Sequence, residues 1–257
     1  MKVMLLAGGL GTRLREETEY RPKPMVEVGG KPILWHIMKN FAAFGLDEFI
    51  ICTGYRGEII KDYFLNYESR NNDFTITLGQ KNNIEFHGGH NEGEWKVTVV
   101  DTGPDTMTGG RVKRASRHVA NERFIVAYGD GLANVDIGAL LAFHNQHGGL
   151  ATVTTVRPLS RFGVMDIGKT GEVIRFREKP LTEDFVNAGF FVFEPQVLDF
   201  LDETCVLEQG PLEELAHSGD LFAYRHHGFW QPMDTYREMT LLNEMWDSGN
   251  APWKVWK

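Results

Sequence analysis

The sequence predicts an α/β fold of the Rossmann-like kind: a mostly parallel mixed sheet flanked by helices, with a β-rich extension covering a ligand cleft. Three observations predict it. An apolar run at 2–7 leads directly into a glycine-rich turn, strand and helix signals then alternate, and strand signals crowd together between 151 and 193. Such alternation favours parallel strands with helices on both faces of the sheet.

The first half of the chain supplies most of the alternation. Residues 2–7 (KVMLLA) are continuously apolar apart from Lys2, as in a strand buried on both faces. Apolar residues recur at helical spacing over 32–44, and residues 48–53 (EFIICT) again have strand composition. A helix over 57–67 completes a β-turn-α-β-α unit.

The pattern resumes after a polar region, 68–94, to which we assign no element. Residues 95–102 alternate like a strand, 108–120 suit a helix, and 124–131 form a β-rich run that ends in Gly and Asp. We expect the strands of 151–193 to extend the same sheet. A final helix is predicted over 235–249.

Composition excludes several classes of protein. The chain has 257 residues, 42% of them hydrophobic, and a formal net charge of -8, so we expect no extended nucleic-acid surface, which would neutralise many phosphates. No apolar run is long enough for a signal-peptide core or a membrane span, so we expect a cytoplasmic protein without a membrane partner. Cys52 and Cys205 form neither a zinc pattern nor a disulfide framework.

The segment LLAGGLGTRL (5–14) is the first chemical signal. Three glycines directly after a strand let backbone N–H groups approach an anion, and a helix beyond them would add positive potential. Leu14 stands where a dinucleotide fingerprint needs glycine, and 11–13 (GTR) differs from the Gly-Lys-Ser/Thr of a Walker loop. The glycines alone also fit a tight turn without ligand.

A proline-flanked lysine follows in RPKPMVEVGGKPI (21–33). Pro22 and Pro24 predict an extended, stiff backbone that projects the Lys23 ammonium at a fixed point. A lone Lys-Pro pair would also fit a solvated loop, so the prediction depends on its combination with the glycine turn.

Together, GxGTR and the proline-flanked lysine resemble the signature of the sugar-nucleotide pyrophosphorylases, and the resemblance runs from Met1 to the C-terminus. Further segments are similar to the branch of that family that uses CTP and glucose 1-phosphate. These are GGKPILWHIM (29–38), VDTG (100–103), TMTGGR (106–111), AYGDGLANVDI (127–137), RFGVMDI (161–167), REKP (177–180), NAGFFVF (187–193), GFWQPMDT (228–235) and APWKVW (251–256).

The resemblance implies a metal site made of Asp130 and Asp234. Carboxylates suit Mg²⁺, which prefers oxygen ligands, and the YGDG segment (128–131) follows a predicted strand, where open α/β sheets bind ligands. By itself, Asp130 also fits a turn and Asp234 a helix N-cap.

The resemblance also assigns the remaining site residues. Lys179 in REKP would bind the sugar phosphate, with Glu178 and Asn187 on sugar hydroxyls, although REKP also fits a charged hairpin turn. Thr106 and Arg111 would form a second polar cluster near the nucleotide or the sugar phosphate, with helix capping as the alternative for Thr106 or Thr108. The implied catalytic set is Arg13, Lys23, Asp130, Lys179 and Asp234. The implied nucleotide-binding set is Leu6, Ala7, Gly8, Gly9, Leu10, Gly11, Thr12, Arg13, Lys23, Gly103, Thr106, Arg111 and Gly129.

The implied reaction is Mg²⁺-dependent transfer of CMP from CTP to glucose 1-phosphate, which gives CDP-glucose and pyrophosphate. Transfer from UTP or dTTP, another sugar 1-phosphate, and a non-catalytic sugar-nucleotide-binding regulator stay open as alternatives. We expect one domain over 1–257, in which 1–150 binds the nucleotide and 151–257 binds the sugar phosphate and ends in a helix. The resemblance further implies a homo-oligomer, up to a hexamer.

Overall fold

The computed structural model describes residues 1–79, 83–160 and 162–256. Its strands are β1 (Lys2–Ala7), β2 (Glu27–Val28), β3 (Lys31–Pro32), β4 (Glu48–Thr53), β5 (Asp73–Ile76), β6 (Ile84–His87), β7 (Lys96–Asp101), β8 (Phe124–Tyr128), β9 (Gly131–Ala133), β10 (Ala151–Val156), β11 (Val164–Ile167), β12 (Val173–Arg177), β13 (Val186–Phe193), β14 (Leu221–Arg225) and β15 (Trp230–Pro232). Its helices are α1 (Arg15–Thr18), α2 (Ile33–Ala42), α3 (Gly57–Leu65), α4 (Tyr67–Asn71), α5 (Thr108–Ala115), α6 (Ile137–His147), α7 (Pro211–Ser218) and α8 (Tyr236–Asp247).

Seven of these strands form one mixed sheet in the order β14-β10-β13-β8-β1-β4-β7. Strand β13 runs antiparallel to both of its neighbours, and the other neighbouring pairs are parallel. The predicted mostly parallel mixed sheet, flanked by helices, is therefore confirmed.

The central strand β1 is apolar throughout because both faces of the sheet are covered. Val3 and Leu5 pack in one hydrophobic cluster together with Phe41 of α2. Met4 points to the opposite cluster, which contains Val112 of α5. Two helical layers thus bury the two faces of the strand, which removes the polar alternation expected of a half-exposed strand.

The carboxyl ends of four parallel strands meet at one edge of the sheet. Ala7 pairs with Thr53 and Thr53 with Asp101, while Leu6 pairs with Tyr128. The loops that follow β1, β4, β7 and β8 therefore lie side by side. This is the edge at which open α/β sheets bind ligands.

The predicted β-rich extension is only partly correct. Strands β10 and β13 join the main sheet, whereas β11 and β12 form a separate antiparallel hairpin that pairs with no other strand in the described ranges. Most side chains on both faces of this hairpin are exposed, Ile167 and Ile174 among them. The apolar composition of β11 and β12 therefore does not report burial in the sheet, and the expectation that they extend it is wrong.

The sequence predicts no element for residues 68–94. In the structure they contain most of α4 and a second two-stranded hairpin, β5–β6. Residues 80–82, between these two strands, lie outside the described residues. Among the residues described, no helix is long and apolar enough to cross a bilayer.

Candidate active site

An open cavity of about 580 Å³ lies at the carboxyl edge of the parallel strands. It is lined by most of the nucleotide-binding residues predicted from the sequence: Leu6, Ala7, Gly8, Gly9, Gly11, Thr12, Arg13, Lys23, Thr106 and Arg111. It is also lined by Asp130, Asn187 and Asp234. Leu10, Gly103, Gly129, Glu178 and Lys179 do not line it.

Two of the three glycines of the turn are required by the structure, and the third is not. A Cβ atom at Gly8 would stand 2.1 Å from the Arg111 guanidinium, so glycine is required there for packing. Gly11 has a φ of +63° and lies against the Cβ atom of Lys23, which favours a residue without a side chain. Gly9 faces open space, so only this glycine is unconstrained by protein neighbours.

The helix expected after the glycine turn is a single short turn. Helix α1 contains four residues, and Leu14 at its N-cap makes no side-chain capping bond. So short a helix builds up little macrodipole, which overturns the expected helix contribution to the positive potential. The local positive charge comes instead from side chains, chiefly Arg13 and Lys23.

Lys23 brings two distant carboxylates together. Its ammonium lies 2.6 Å from Oδ2 of Asp130 and 2.5 Å from Oδ1 of Asp234. Arg13 contacts the other oxygen of Asp234 at 2.9 Å. Four of the five residues predicted to be catalytic therefore form one ion-pair network, although they are spread over more than 200 residues of sequence.

The flanking prolines predicted an extended backbone at Lys23, and this prediction is wrong. Pro22 is extended, but Lys23 begins a 3-10 turn that ends at Met25. The amide of Met25 donates to the carbonyl of Pro22 at 2.8 Å, and the amide of Val26 to that of Lys23 at 3.1 Å. These two bonds and the burial of the turn fix the lysine, so it is rigid for a different reason from the one predicted.

Electrostatics keep the Lys23 ammonium protonated. Burial alone would lower the pKa of Lys23, because it removes water from the charge. The carboxylates of Asp130 and Asp234 more than offset this effect, and the pKa ends above its ordinary value. The group is therefore a permanent cation at the cavity wall.

A short strand pair that the sequence did not reveal places the two aspartates together. Strand β9 pairs antiparallel with β15, with Gly131 opposite Pro232. Asp130 comes just before β9 and Asp234 soon after β15, so the pairing brings both to the same end of the ribbon. A further bond joins the amide of Met233 to the Asp130 carbonyl at 2.9 Å.

The N-cap explanation of Asp234 does not hold. Thr235 is the N-cap of α8, and Glu238 completes a capping box with it. The backbone amide of Asp234 donates to the Glu238 carboxylate at 2.7 Å. The Asp234 carboxylate is thus directed to Lys23 and Arg13.

The chemistry of this pair fits a divalent metal. Two carboxylates converge on one cation, and Mg²⁺ is commonly bound by one or two carboxylates, water and substrate phosphates. Within the described ranges, no group of three or more His, Cys, Asp or Glu side chains has metal-binding geometry. A metal on Asp130 and Asp234 would therefore take its remaining ligands from phosphate and water.

The buried Arg111 guanidinium connects the ends of the parallel strands. It donates to the carbonyls of Gly8 at 2.9 Å and Gly103 at 2.8 Å, and also to Thr53 and Pro104. These contacts hold the glycine turn in place. Direct contact between Arg111 and a nucleotide stays a prediction.

The capping explanation for the threonines around α5 is wrong. The N-cap of α5 is Met107, without a side-chain capping bond. The hydroxyl of Thr106 donates to the carbonyl of Thr102, and the hydroxyl of Thr108 donates to Glu208 at 2.6 Å. Both threonines line the cavity.

The sugar-phosphate residues predicted from the sequence are not brought together. Asn187 lines the cavity, and its amide donates to the hydroxyl of Tyr128 at 3.1 Å. Lys179 stands just beyond the β11–β12 hairpin with its ammonium 3.8 Å from Glu178, and both side chains are about half exposed or more. Lys179 also has a φ of +44°, which is unusual for a residue with a side chain.

Sequence reasoning missed several residues of the cavity wall, among them Tyr128, Glu208 and Trp230. The Trp230 indole donates to the carbonyl of Ala188 at 3.0 Å. Glu208 lies in a loop before α7, in a segment without a recognisable motif. Its carboxylate accepts there from the hydroxyls of Thr108 and Tyr128, 100 and 80 residues away in the sequence.

Comparison with known proteins identifies the family of the chain. A family model described as Nucleotidyl transferase matches residues 2–218. The chain belongs to the nucleotidyl transferase family. It is 51% identical to glucose-1-phosphate cytidylyltransferase of Salmonella typhimurium and 43% identical to a probable glucose-1-phosphate cytidylyltransferase of Bacillus subtilis. Each alignment covers 100% of both chains.

Solved structures share the fold at much lower identity. HddC from Yersinia pseudotuberculosis matches with a TM-score of 0.69 and 22% identity, over 95% of this chain and 99% of that one. A UDP-glucose pyrophosphorylase complexed with UDP-glucose matches with a TM-score of 0.70 and 18% identity, over 96% of this chain and 98% of that one. These likenesses support the Rossmann-like α/β architecture of the family member described above.

Proposed function

We propose that the protein transfers CMP from CTP to α-D-glucose 1-phosphate and releases CDP-glucose and pyrophosphate. The observation that carries the proposal is the convergence of Arg13, Lys23, Asp130 and Asp234 in one cavity beside the glycine turn. The full-length identity with glucose-1-phosphate cytidylyltransferases supports the choice of substrates.

The reaction is an in-line displacement at the α-phosphorus of CTP. A phosphate oxygen of glucose 1-phosphate forms the new bond to phosphorus, while the bond from the α-phosphorus to the oxygen that bridges to the β-phosphate breaks. Pyrophosphate leaves with that electron pair. The nucleophile is already anionic, so no general base is needed. Holding the two phosphates in line can supply about 7–11 kcal/mol in favourable cases.

The cationic side chains of the cavity have the role of neutralising charge. Lys23 and Arg13 are aimed before substrate arrives, which gives them the advantage of preorganised electrostatics. Asp130 and Asp234 would hold Mg²⁺, which when bound supplies further positive charge to the triphosphate oxygens. Arg111 keeps the carbonyls of Gly8 and Gly103 in place, so the turn that faces the triphosphate does not need to reorganise.

The sugar phosphate occupies the side of the cavity that contains Asn187. Asn187 can donate to and accept from sugar hydroxyls, in keeping with its place on the wall. Lys179 and Glu178 do not line the cavity; they would reach the sugar phosphate from the hairpin when it binds, with Lys179 orienting the attacking phosphate. Their exposure leaves them accessible to a ligand that enters from solvent.

One experiment separates this proposal from its alternatives. Pyrophosphate release is measured for ATP, CTP, GTP and UTP, and for dTTP, each with glucose 1-phosphate or mannose 1-phosphate, and with either Mg²⁺ or EDTA. We expect release with CTP, glucose 1-phosphate and Mg²⁺. Release with another pair would reassign the substrates. No release under any of these conditions would favour the non-catalytic regulator.

The homo-oligomer implied by the resemblance stays a prediction. Sedimentation velocity on the purified chain tests it directly, since a hexamer of a 29.2 kDa subunit sediments far faster than a monomer.

A further inference from the structure

Four polar side chains form a chain of hydrogen bonds along one wall of the cavity. Thr108 and Tyr128 both donate to the carboxylate of Glu208, one to each oxygen. Asn187 donates to the hydroxyl of Tyr128 at 3.1 Å. All four side chains line the cavity, and none of the four lies next to another in the sequence.

We propose that Glu208 is a positioning residue that, through Tyr128, fixes the amide of Asn187 in the orientation that binds glucose 1-phosphate. This inference rests on the proposed function. It adds to that function the group that sets the geometry of the sugar side.

The direction of each hydrogen bond is determined by chemistry. An ionised carboxylate only accepts, so the Tyr128 hydroxyl must donate to Glu208. Burial, and next the negative charge of Glu208, raise the pKa of Tyr128, so the phenol keeps its proton. The phenol oxygen then accepts from the Asn187 nitrogen, while the Asn187 oxygen accepts from the amide of Gly189 at 2.7 Å.

The directions of these hydrogen bonds leave two defined groups of the Asn187 amide for a ligand. With one N–H of Asn187 bound to Tyr128, the second N–H remains for an acceptor, and the carbonyl oxygen retains a second lone pair. An amide that could rotate would present these two groups in either order. The chain from Glu208, together with the bond from the Gly189 amide to the Asn187 oxygen, therefore specifies which of them faces the substrate.

The segment that contains Glu208 is clamped tightly against α5. A Cβ atom at Gly109 would lie 2.4 Å from the sulfur of Cys205, and one at Gly110 would lie 2.3 Å from the Glu203 carbonyl. The hydroxyl of Thr108 also accepts from the amide of Leu207 at 2.9 Å.

The same contacts explain the glycine pair of the TMTGGR motif. Gly109 and Gly110 allow the segment to approach α5, while Thr108 receives its carboxylate. The carboxylate of Glu208 is thus held by backbone packing as well as by side-chain bonds, which limits its freedom to follow a displaced Tyr128.

The test uses Tyr128→Phe and Glu208→Ala in steady-state assays of pyrophosphate release. We expect the KM for glucose 1-phosphate to rise about fivefold to tenfold in each variant, as expected for one lost hydrogen bond. The KM for CTP should stay within about twofold of the wild-type value. The double variant should be no worse than the worse single one, because both substitutions break the same chain.

Two further variants serve as controls. Glu208→Gln retains an oxygen that can accept from Tyr128. Unlike Glu208→Ala, it should therefore keep the KM for glucose 1-phosphate near the wild-type value. Glu203→Ala removes an exposed acid from the same segment, whose salt bridge to Arg114 measures 3.4 Å, and should leave both KM values unchanged.

The possible outcomes separate the two proposals. No release by the wild-type protein would overturn the proposed function and this inference with it. An active wild type whose Tyr128→Phe variant keeps its KM for glucose 1-phosphate would overturn the inference alone. So would equal increases in both KM values, or a lower melting temperature with unchanged KM values, because either indicates a merely structural role.

Discussion

Two of the lysine–proline pairs in this chain, Lys23–Pro24 and Lys179–Pro180, have opposite surroundings. Lys23, before Pro24, has a side chain 10% exposed and contacts two aspartates at 2.6 Å or less. Lys179, before Pro180, has a side chain 48% exposed, and its ammonium lies 3.8 Å from the Glu178 carboxylate.

The difference comes from what supports each pair. Lys23 begins a buried turn against the parallel sheet, whereas Lys179 follows a two-stranded hairpin that pairs with none of the other strands described. A proline after lysine therefore does not aim the ammonium by itself. Tertiary packing determines whether the charge is preorganised, and preorganised charge contributes most to catalysis.

The largest expected effect is that of Lys23→Ala. We expect kcat for pyrophosphate release from CTP and glucose 1-phosphate to fall by about 10² or more, the scale of losing one preorganised electrostatic group. Lys96→Ala is the matched control, because Lys96 is exposed and its contact with Glu48 is 3.6 Å long; it should keep the wild-type rate.

A near wild-type rate for Lys23→Ala would remove Lys23 from the mechanism and erase the distinction between the two lysines. Circular dichroism at the assay temperature checks that the variant is folded. This control matters because the substitution also leaves Asp130 and Asp234 without their shared cation.

The parts of the fold set by local sequence could be predicted, and those set by distant pairing could not. The apolar run of β1 and the amphipathic spacing of α2 are local signals, and both elements were predicted. The ribbon of β9 and β15 was missed because each strand has three residues and its partner lies about 100 residues away. The exposure of β11 and β12 was missed because apolar composition alone does not distinguish a sheet from an isolated hairpin.

The residues of the candidate site likewise divide into those that local sequence predicts and those that it does not. The glycine turn and Lys23 could be proposed from their residue types and spacing, whereas Asp130 and Asp234 came from family resemblance alone. Glu208 had no sequence signal, since its carboxylate is brought to the cavity by distant contacts: the packing of its segment against Gly109 and Gly110 and the bonds from Thr108 and Tyr128.

A smaller effect is expected for Lys179→Ala. Because Lys179 is exposed and solvent screens its charge, we expect the KM for glucose 1-phosphate to rise about tenfold, on the scale of one charge-assisted hydrogen bond, with little change in the KM for CTP. Lys169→Ala, in the turn of the same hairpin, is the control. A loss of kcat as large as that of Lys23→Ala would mean that Lys179 is also preorganised when substrate is bound.

The last expected effect tests the scaffold behind Lys23 and should leave both substrate sites unchanged at neutral pH. His36 of α2 is fully buried, accepts from the Trp253 indole at 3.4 Å, and donates from its other nitrogen to the Val28 carbonyl at 2.8 Å. Burial lowers the pKa of His36 from 6.5 to about 4, opposed in part by the bond to Val28. Between these two pH values the unfolded chain binds a proton that the folded chain does not. The stability present above pH 6.5 is therefore lost as pH falls toward 4, by up to ~3 kcal/mol from this group.

The variant His36→Gln can keep the bond to Val28 without titrating. The free energy of unfolding, measured by urea titration at several pH values from 7 to 4.5, should therefore fall less steeply with pH for this variant than for the wild type. Parallel curves for the two proteins would show that His36 does not carry this dependence.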